Sequence, residues 1–356
     1  MQKDNTIEAF FAILKAGLWE KEVSLSQFGE LDYERILRLA EEQSVVGLIA
    51  AGLEHVKDVK PPQVLVLQLV GQALQIEQRN KAMNSFIGNM VERMREKGIY
   101  TLLVKGQGIA QCYDRPLWRS SGDVDLFLSD DNYEKAKQFL LPLSTGNKPE
   151  RLYSKELGLN IGPWLVEVHG TLRTGLSTRV DNSIDSVQNL VFYNGSVRTW
   201  MNGRTQVFLP GATVDAFFVF VHFLKHFYKG EGANLRQLCD WCRLLWKYRD
   251  DIDYSLLETH LRDSGFITEW KVFAALSVCY LGAPIESMPF YEEKNKWIKK
   301  ARIIMGQLLG KNNGRLHTVV SMMKVFPINT IRFIPGIVFE VNSLKIRERV
   351  RNYKKA

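Results

Sequence analysis

The sequence predicts an α+β protein: a small mixed sheet in the middle of the chain, flanked by helical regions before and after it. Three observations predict this. An apolar run from Ile99 to Val104 and a second one at Val124-Asp-Leu-Phe-Leu128 have the length of buried strands and are bounded by turn residues. A third run, Trp164-Leu-Val-Glu-Val-His169, follows and ends at Gly170. On either side of this region the apolar residues recur at helical spacing instead.

Residues 1–97 read as helices. Ile7, Phe10, Phe11 and Leu14 share one helical face, and Tyr33, Ile36, Leu37 and Leu39 another, with Asp32 placed to cap the second. Pro61-Pro62 breaks the chain. A long helix then runs from Gln63 to Lys97, and Gly98 ends it and turns into the first strand. This region is expected to form a lid or a packing buttress.

After the second strand, Asp130-Asp131 caps a helix through Tyr133, Ala136 and Phe139, which Pro142 stops. Residues 144–162 read as a hairpin into the third run. Between Thr174 and Leu209, Asn-Gly pairs at 194–195 and 202–203 mark turns, and alternation around Val191–Tyr193 and Thr205–Leu209 predicts edge strands or a hairpin. From Pro210 onward the pattern is helical again. A very apolar helix spans Ala216–Tyr228, with His222, Lys225 and His226 on its more polar side. Others follow at Leu235–Leu245, from Asp253, from Thr268 and over 291–310. Cys239 and Cys242 have Cys-x-x-Cys spacing, but they lie in a helical pattern with no second pair to complete a zinc site, so core packing is the reading.

The chemistry is concentrated between Lys105 and His169. The first strand ends at Lys105-Gly106, and the second opens with Arg119-Ser-Ser-Gly122-Asp123-Val-Asp125. Side chains alternate across a strand, so Asp123 and Asp125 share a face. Two adjacent carboxylates stay ionised most easily with a cation between them, and hard oxygen ligands at this spacing suit Mg²⁺ or Mn²⁺. Glu167 and His169 likewise share a face of the third strand.

The order strand, Lys-Gly turn, helix, then Arg-x-x-Gly-Asp-hydrophobic-Asp resembles the nucleotidyltransferases of the DNA polymerase β-like superfamily. Within it, the chain is most similar to an uncharacterised bacterial nucleotidyltransferase family, matched at Lys105, Gly106, Tyr113, Arg119, Gly122, Asp123 and Asp125. The resemblance implies a polymerase β-like core, an NTP substrate, and Mg²⁺ or Mn²⁺ held by Asp123, Asp125 and Glu167 as catalytic residues and metal ligands. It implies a phosphate-binding set of Lys105, Gly106, Gln107, Arg119 and Gly122, with Gln107 standing where the superfamily often has a phosphate-holding serine. His169, Arg236 and Asp240 are accessory positions; the last two are four apart and so placed to pair on one helix face. Lys105 has a second role open to it, pairing with the carboxylates. Read this way, the chain comprises an N-terminal helical region (1–97), a nucleotidyltransferase core (98–209), a C-terminal helical domain (210–310) and a basic amphipathic tail (311–356).

Composition bounds the rest. Charged residues make up 24% and hydrophobic ones 46% of the 356, ordinary for a globular protein and enough for two or three packed units. Four scattered cysteines make no disulfide framework, and neither a leader nor a membrane-spanning run is evident; a cytoplasmic protein is expected. Ten basic and two acidic residues lie between Lys311 and Ala356, which accounts for the whole formal excess of +8. The catalytic stretch is therefore not basic, which argues against long nucleic acid as a substrate. The tail's apolar clusters, Val319–Phe326 and Ile331–Phe339, are expected to dock on the helices; the alternative is a peripheral membrane or protein contact. The expected reaction is NMP transfer to a hydroxyl acceptor (a small molecule, a peptide or protein, or an RNA end). Its rivals are a phosphotransferase using the same apparatus and a non-catalytic interaction protein that keeps the fold.

Overall fold

The computed structural model describes residues 4–310 and 315–334. The N-terminal helices are α1 (Asn5–Trp19), α2 (Tyr33–Glu42), α3 (Val46–Glu54) and α4 (Gln63–Glu96). Asp32 caps α2 as its sequence position predicts, accepting the Arg35 N–H at 2.8 Å. At the end of α4, Gly98 takes a φ of 68°, and the Ile99 and Gly98 N–H groups return to the carbonyls of Met94 and Arg95. This paired closure satisfies the last carbonyls and sends the chain into the sheet.

The middle of the chain supplies β1 (Leu102–Val104), α5 (Gly106–Ala110), β2 (Val124–Phe127), α6 (Asp130–Leu140), β3 (Gly146–Asn147), β4 (Glu156–Ile161) and β5 (Trp164–His169). Next come α7 (Thr178–Asn194), β6 (Val197–Asn202) and β7 (Thr205–Pro210). The seven strands form one mixed sheet in the order β3-β4-β5-β2-β1-β7-β6. Pairing is parallel between β2 and β5 and between β1 and β7, and antiparallel elsewhere. β1 begins three residues later than Ile99, because Ile99 is used in closing α4.

One expectation is overturned here. Val191–Tyr193 is not an edge strand but the last turn of α7. Val180, Ile184, Val187 and Val191 bury one helical stripe, Ser177 caps the N-terminus, and Gly195 closes the helix at φ 66°. The first Asn-Gly pair is thus a helix end; the second, at 202–203, is a true hairpin turn between β6 and β7.

The C-terminal helices are α8 (Ala212–Lys229), α9 (Leu235–Lys247), α10 (Tyr254–Ser264), α11 (Ile267–Leu281), α12 (Asn295–Leu309), α13 (Arg315–Val325) and α14 (Pro327–Phe333). They share one apolar core with α1–α3, the first half of α4 and the sheet face that carries Leu102, Val104 and Phe127. The opposite face, with Leu103, Val124 and Leu126, is covered by the second half of α4 and by α6. Cys239 and Cys242 lie buried in the first core.

The first apolar cluster of the basic tail is docked: Val319, Met322, Val325 and Phe326 are buried, and Phe333 packs on Tyr228 with ring centroids 4.9 Å apart. Residues 335–356, with the rest of the second cluster and six of the tail's ten basic residues, lie outside the described residues. Among the described residues no helix is long and apolar enough to cross a membrane.

Candidate active site

Asp125 sits on β2 beside both strands that carry the other motif residues. It faces Val104 of β1, next to Lys105, and it faces Glu167 of β5 in parallel register. Because Asp125 and Phe127 alternate with Val124 and Leu126, the carboxylate lies on the sheet face covered by the helices. Its Oδ1 accepts from Lys105 Nζ at 2.6 Å and lies 3.0 Å from His169 Nε2. Burial acts to raise the Asp125 pKa, but the Lys105 ammonium and the His169 contact outweigh it and hold the group at about 2.

Asp123 precedes β2 and lines the same cleft. The Asp125 charge and then burial push its pKa up. Glu167 is raised by burial first and by Asp125 next, with His169 and Lys105 opposing. Its Oε2 is 3.9 Å from His169 Nε2. Asp125, Glu167 and His169 each bring one ligand atom to within 4.8 Å of the others. Asp123 is not in that set.

The turn after β1 is strained. Lys105 has a φ of 58° and Gly106 one of 44°. Such a conformation costs a non-glycine residue about 1–3 kcal/mol, and strain of this kind clusters at functional sites. Gly106 is required for its backbone angle; a side chain there would meet only the Asp123 carbonyl, at 3.5 Å.

The cleft has two lobes that share Lys105, Asp123, His222, His226 and Glu231. The first, of about 230 Å³, is walled by Gly106, Asp125, Arg119, Arg236 and Asp240. The second, of about 180 Å³, is walled by Glu167, His169, Arg151, Glu156, Arg173 and Lys225.

Three expected phosphate ligands are placed otherwise. Arg119 lines the first lobe, but its guanidinium is committed to Asp240: Nε donates to Oδ1 at 2.8 Å and Nη2 to Oδ2 at 2.7 Å, while Nη1 reaches Ser120 and Ser121. Tyr113 donates to Asp240 as well, at 2.7 Å. The bidentate fork that suits a phosphate has a carboxylate on it. The Gln107 side chain points away from the cleft, donating to Asn80 on α4 at 2.8 Å, because Gln107 falls on the face of α5 packed against that helix. Gly122 is exposed, has no positive φ and is not part of the cleft wall.

The expected Arg236–Asp240 pair is also replaced, since Arg119 and Tyr113 occupy Asp240. Arg236 instead donates to the Ser120 carbonyl at 3.1 Å, and its buried Nε has no partner.

The motif order therefore folds into a buried carboxylate centre beside a two-lobed cleft. The model of a family described as an uncharacterised nucleotidyltransferase matches residues 29–281. The chain belongs to this nucleotidyltransferase family. No curated protein and no solved structure matches the chain. The family match takes in both cleft walls, from the Lys105 turn to α9.

No expected site residue lies on α8, yet this helix faces the carboxylates across both lobes. His222 and His226 lie with their Nε2 atoms 3.0 Å apart, so one ring donates to the other and only one of those nitrogens carries the proton. Burial, then Lys105, lowers the His222 pKa well below its usual value; burial lowers that of His226 too. Burial also pulls Lys225 down, with Glu156 opposing. The one signal in the sequence was a polar stripe, His222-x-x-Lys225-His226, on an otherwise apolar helix.

Proposed function

We propose that this protein is a metal-dependent enzyme that transfers the NMP unit of a nucleoside triphosphate to a hydroxyl acceptor, on a core of the DNA polymerase β-like kind. The observation that carries the reading is the register of Asp125 against Glu167 on parallel strands, with Asp123 and Lys105 at the same cleft.

The residues present fit a divalent cation. Buried carboxylates at this separation need positive charge, and Lys105 already supplies one ammonium to Asp125. Asp123 and Asp125 would hold a cation that neutralises the triphosphate and, with Glu167, a second, the two together stabilising the attacking and leaving oxygens. The first lobe takes the triphosphate. Arg236 and Lys105 are its cations, because Arg119 is spent on Asp240 and acts by fixing the loop that leads into Asp123. The second lobe takes the acceptor, next to Glu167.

In the transfer, the acceptor oxygen attacks the α-phosphorus, the bond to the β-phosphate bridge breaks, and pyrophosphate leaves. Glu167 receives the hydroxyl proton. Its carboxylate lines the second lobe, where the acceptor hydroxyl would lie.

The test is to offer each NTP labelled at the α- or the γ-phosphate, with Mg²⁺ or Mn²⁺ and a cell extract as acceptor source. Transfer of the α-label alone, with release of labelled pyrophosphate from the γ-labelled NTP, supports nucleotidyl transfer. Transfer of the γ-label to an acceptor makes the protein a phosphotransferase and rejects the reading.

A further inference from the structure

Asp125, Glu167 and His169 form a compact trio whose third member is an imidazole and not a carboxylate. Its geometry follows from two strands. Parallel pairing sets Asp125 opposite Glu167, and the two-residue period of β5 puts His169 on the face of Glu167. The nitrogen turned toward the carboxylates is Nε2, 3.0 Å from Asp125 Oδ1 and 3.9 Å from Glu167 Oε2. The Asp125 side chain is 2% exposed, while those of His169 (10%) and Glu167 (17%) open on the second lobe.

We propose that this trio is a mixed carboxylate–imidazole cation site with His169 as a direct ligand, and that it selects Mn²⁺ over Mg²⁺. The proposal rests on reading the cleft as the catalytic centre, although its test does not depend on turnover.

The selectivity follows from the donor set. Mg²⁺ demands hard oxygen ligands in near-octahedral order and keeps much of its water. A site whose donors include an imidazole nitrogen does not supply an all-oxygen set. Mn²⁺ is larger, binds carboxylate and imidazole together, and stands above Mg²⁺ in affinity for nitrogen-containing sites. Asp123, outside the trio, remains free to face the first lobe and a triphosphate-bound cation, whose ligands would all be oxygens. The two cation positions of one centre thus differ in donor chemistry: oxygen-only on the Asp123 side, mixed on the His169 side.

The experiment uses the full chain stripped of metal. Mn²⁺ binding is read from the loss of the free-ion electron paramagnetic resonance signal, and Mg²⁺ binding by competition. Pulsed electron paramagnetic resonance on the Mn²⁺-loaded protein then reads nitrogen coupling directly. The expected results are a Mn²⁺ Kd at least ~10-fold below that of Mg²⁺, a ¹⁴N coupling of imidazole strength, and loss of both on His169→Gln. Equal affinity for the two ions, no nitrogen coupling in the wild type, or a coupling that survives His169→Gln in a folded protein overturns the proposal. Should His169→Gln fail to fold, the wild-type coupling and affinity ratio still decide it. Mn²⁺ binding as expected with no transfer from any NTP would leave the metal site standing and reject the nucleotidyl-transfer reading.

Discussion

The two walls of the cleft are built on opposite principles. The sheet wall holds Asp123, Asp125, Glu167 and Lys105, charged groups that are buried together and set one another's ionisation, with the His169 ring beside them. The facing α8 wall presents His222 and His226, which burial keeps from charging, beside a single lysine. The difference teaches how division of labour can be read from electrostatics. A wall of coupled charges is suited to a cation and a phosphate, whereas a wall of neutral hydrogen-bonding rings is suited to shaping an acceptor without competing for that cation.

The largest effect is expected on the sheet wall. Glu167→Gln removes the proposed base, and one charge from the proposed metal ligands, at nearly constant volume and should lower kcat by roughly 10²–10⁴-fold. Single-turnover kinetics and nucleotide binding measured side by side check this; a loss confined to KM would remove the base assignment.

The next effect is on stability. Arg119→Met leaves Asp240 buried with Tyr113 but without its cation, and should cost about 3–5 kcal/mol in denaturant unfolding. Arg236→Met breaks one bond to the Ser120 carbonyl and no ion pair to Asp240, so its unfolding curve should move far less. Its signature is instead a rise of roughly 10-fold or more in KM for the NTP, the worth of one hydrogen bond to a charged phosphate. Should the two arginines show the reverse pattern, Arg119 is the phosphate ligand after all.

The smallest effect belongs to the helix wall. Folding lowers the pKa of His222 and His226, so the unfolded chain binds more protons below its histidine pKa of about 6.5. The stability they contribute is present above that value and is lost as the pH falls through it toward the folded values. Thermal melts from pH 7.5 to pH 5 should therefore fall less steeply in His222→Phe than in the wild type. Identical slopes would mean that the histidine pair is not held neutral.

These contrasts also explain what the sequence made legible. Glu167 and His169 lie two apart on β5, so a period of two was enough to put them on a shared face, whereas Asp123 falls just before β2 and reaches the cleft from the loop. Lys105 was legible because a strand ends there. Arg119 was visible as a motif residue, but its partner is Asp240, 121 residues further along, and no local spacing reveals that pairing. The helix wall was hidden for the same reason: a polar stripe acquires a function only when packing turns it toward the carboxylates.

One helix, α7, was misread, and α3 was legible only as part of a helical region without bounds. In α7 a glycine that closes a helix was indistinguishable from a hairpin glycine. In α3, Gly52 lets the helix approach α1 so closely that a Cβ would lie 2.0 Å from the Ile13 carbonyl oxygen. Glycine inside a helix reads as a breaker until its neighbour is known.

In the proposed reaction the buried carboxylates of the sheet wall direct transfer at the α-phosphate. This is tested most directly by mass spectrometry of the products formed by wild type and Asp125→Asn, matched for folding by thermal melt and supplied with NTP, Mn²⁺ and extract. The account predicts an acceptor gaining the mass of one NMP with the wild type, and none above background with Asp125→Asn. The same adduct at an undiminished rate from a folded Asp125→Asn protein would contradict it.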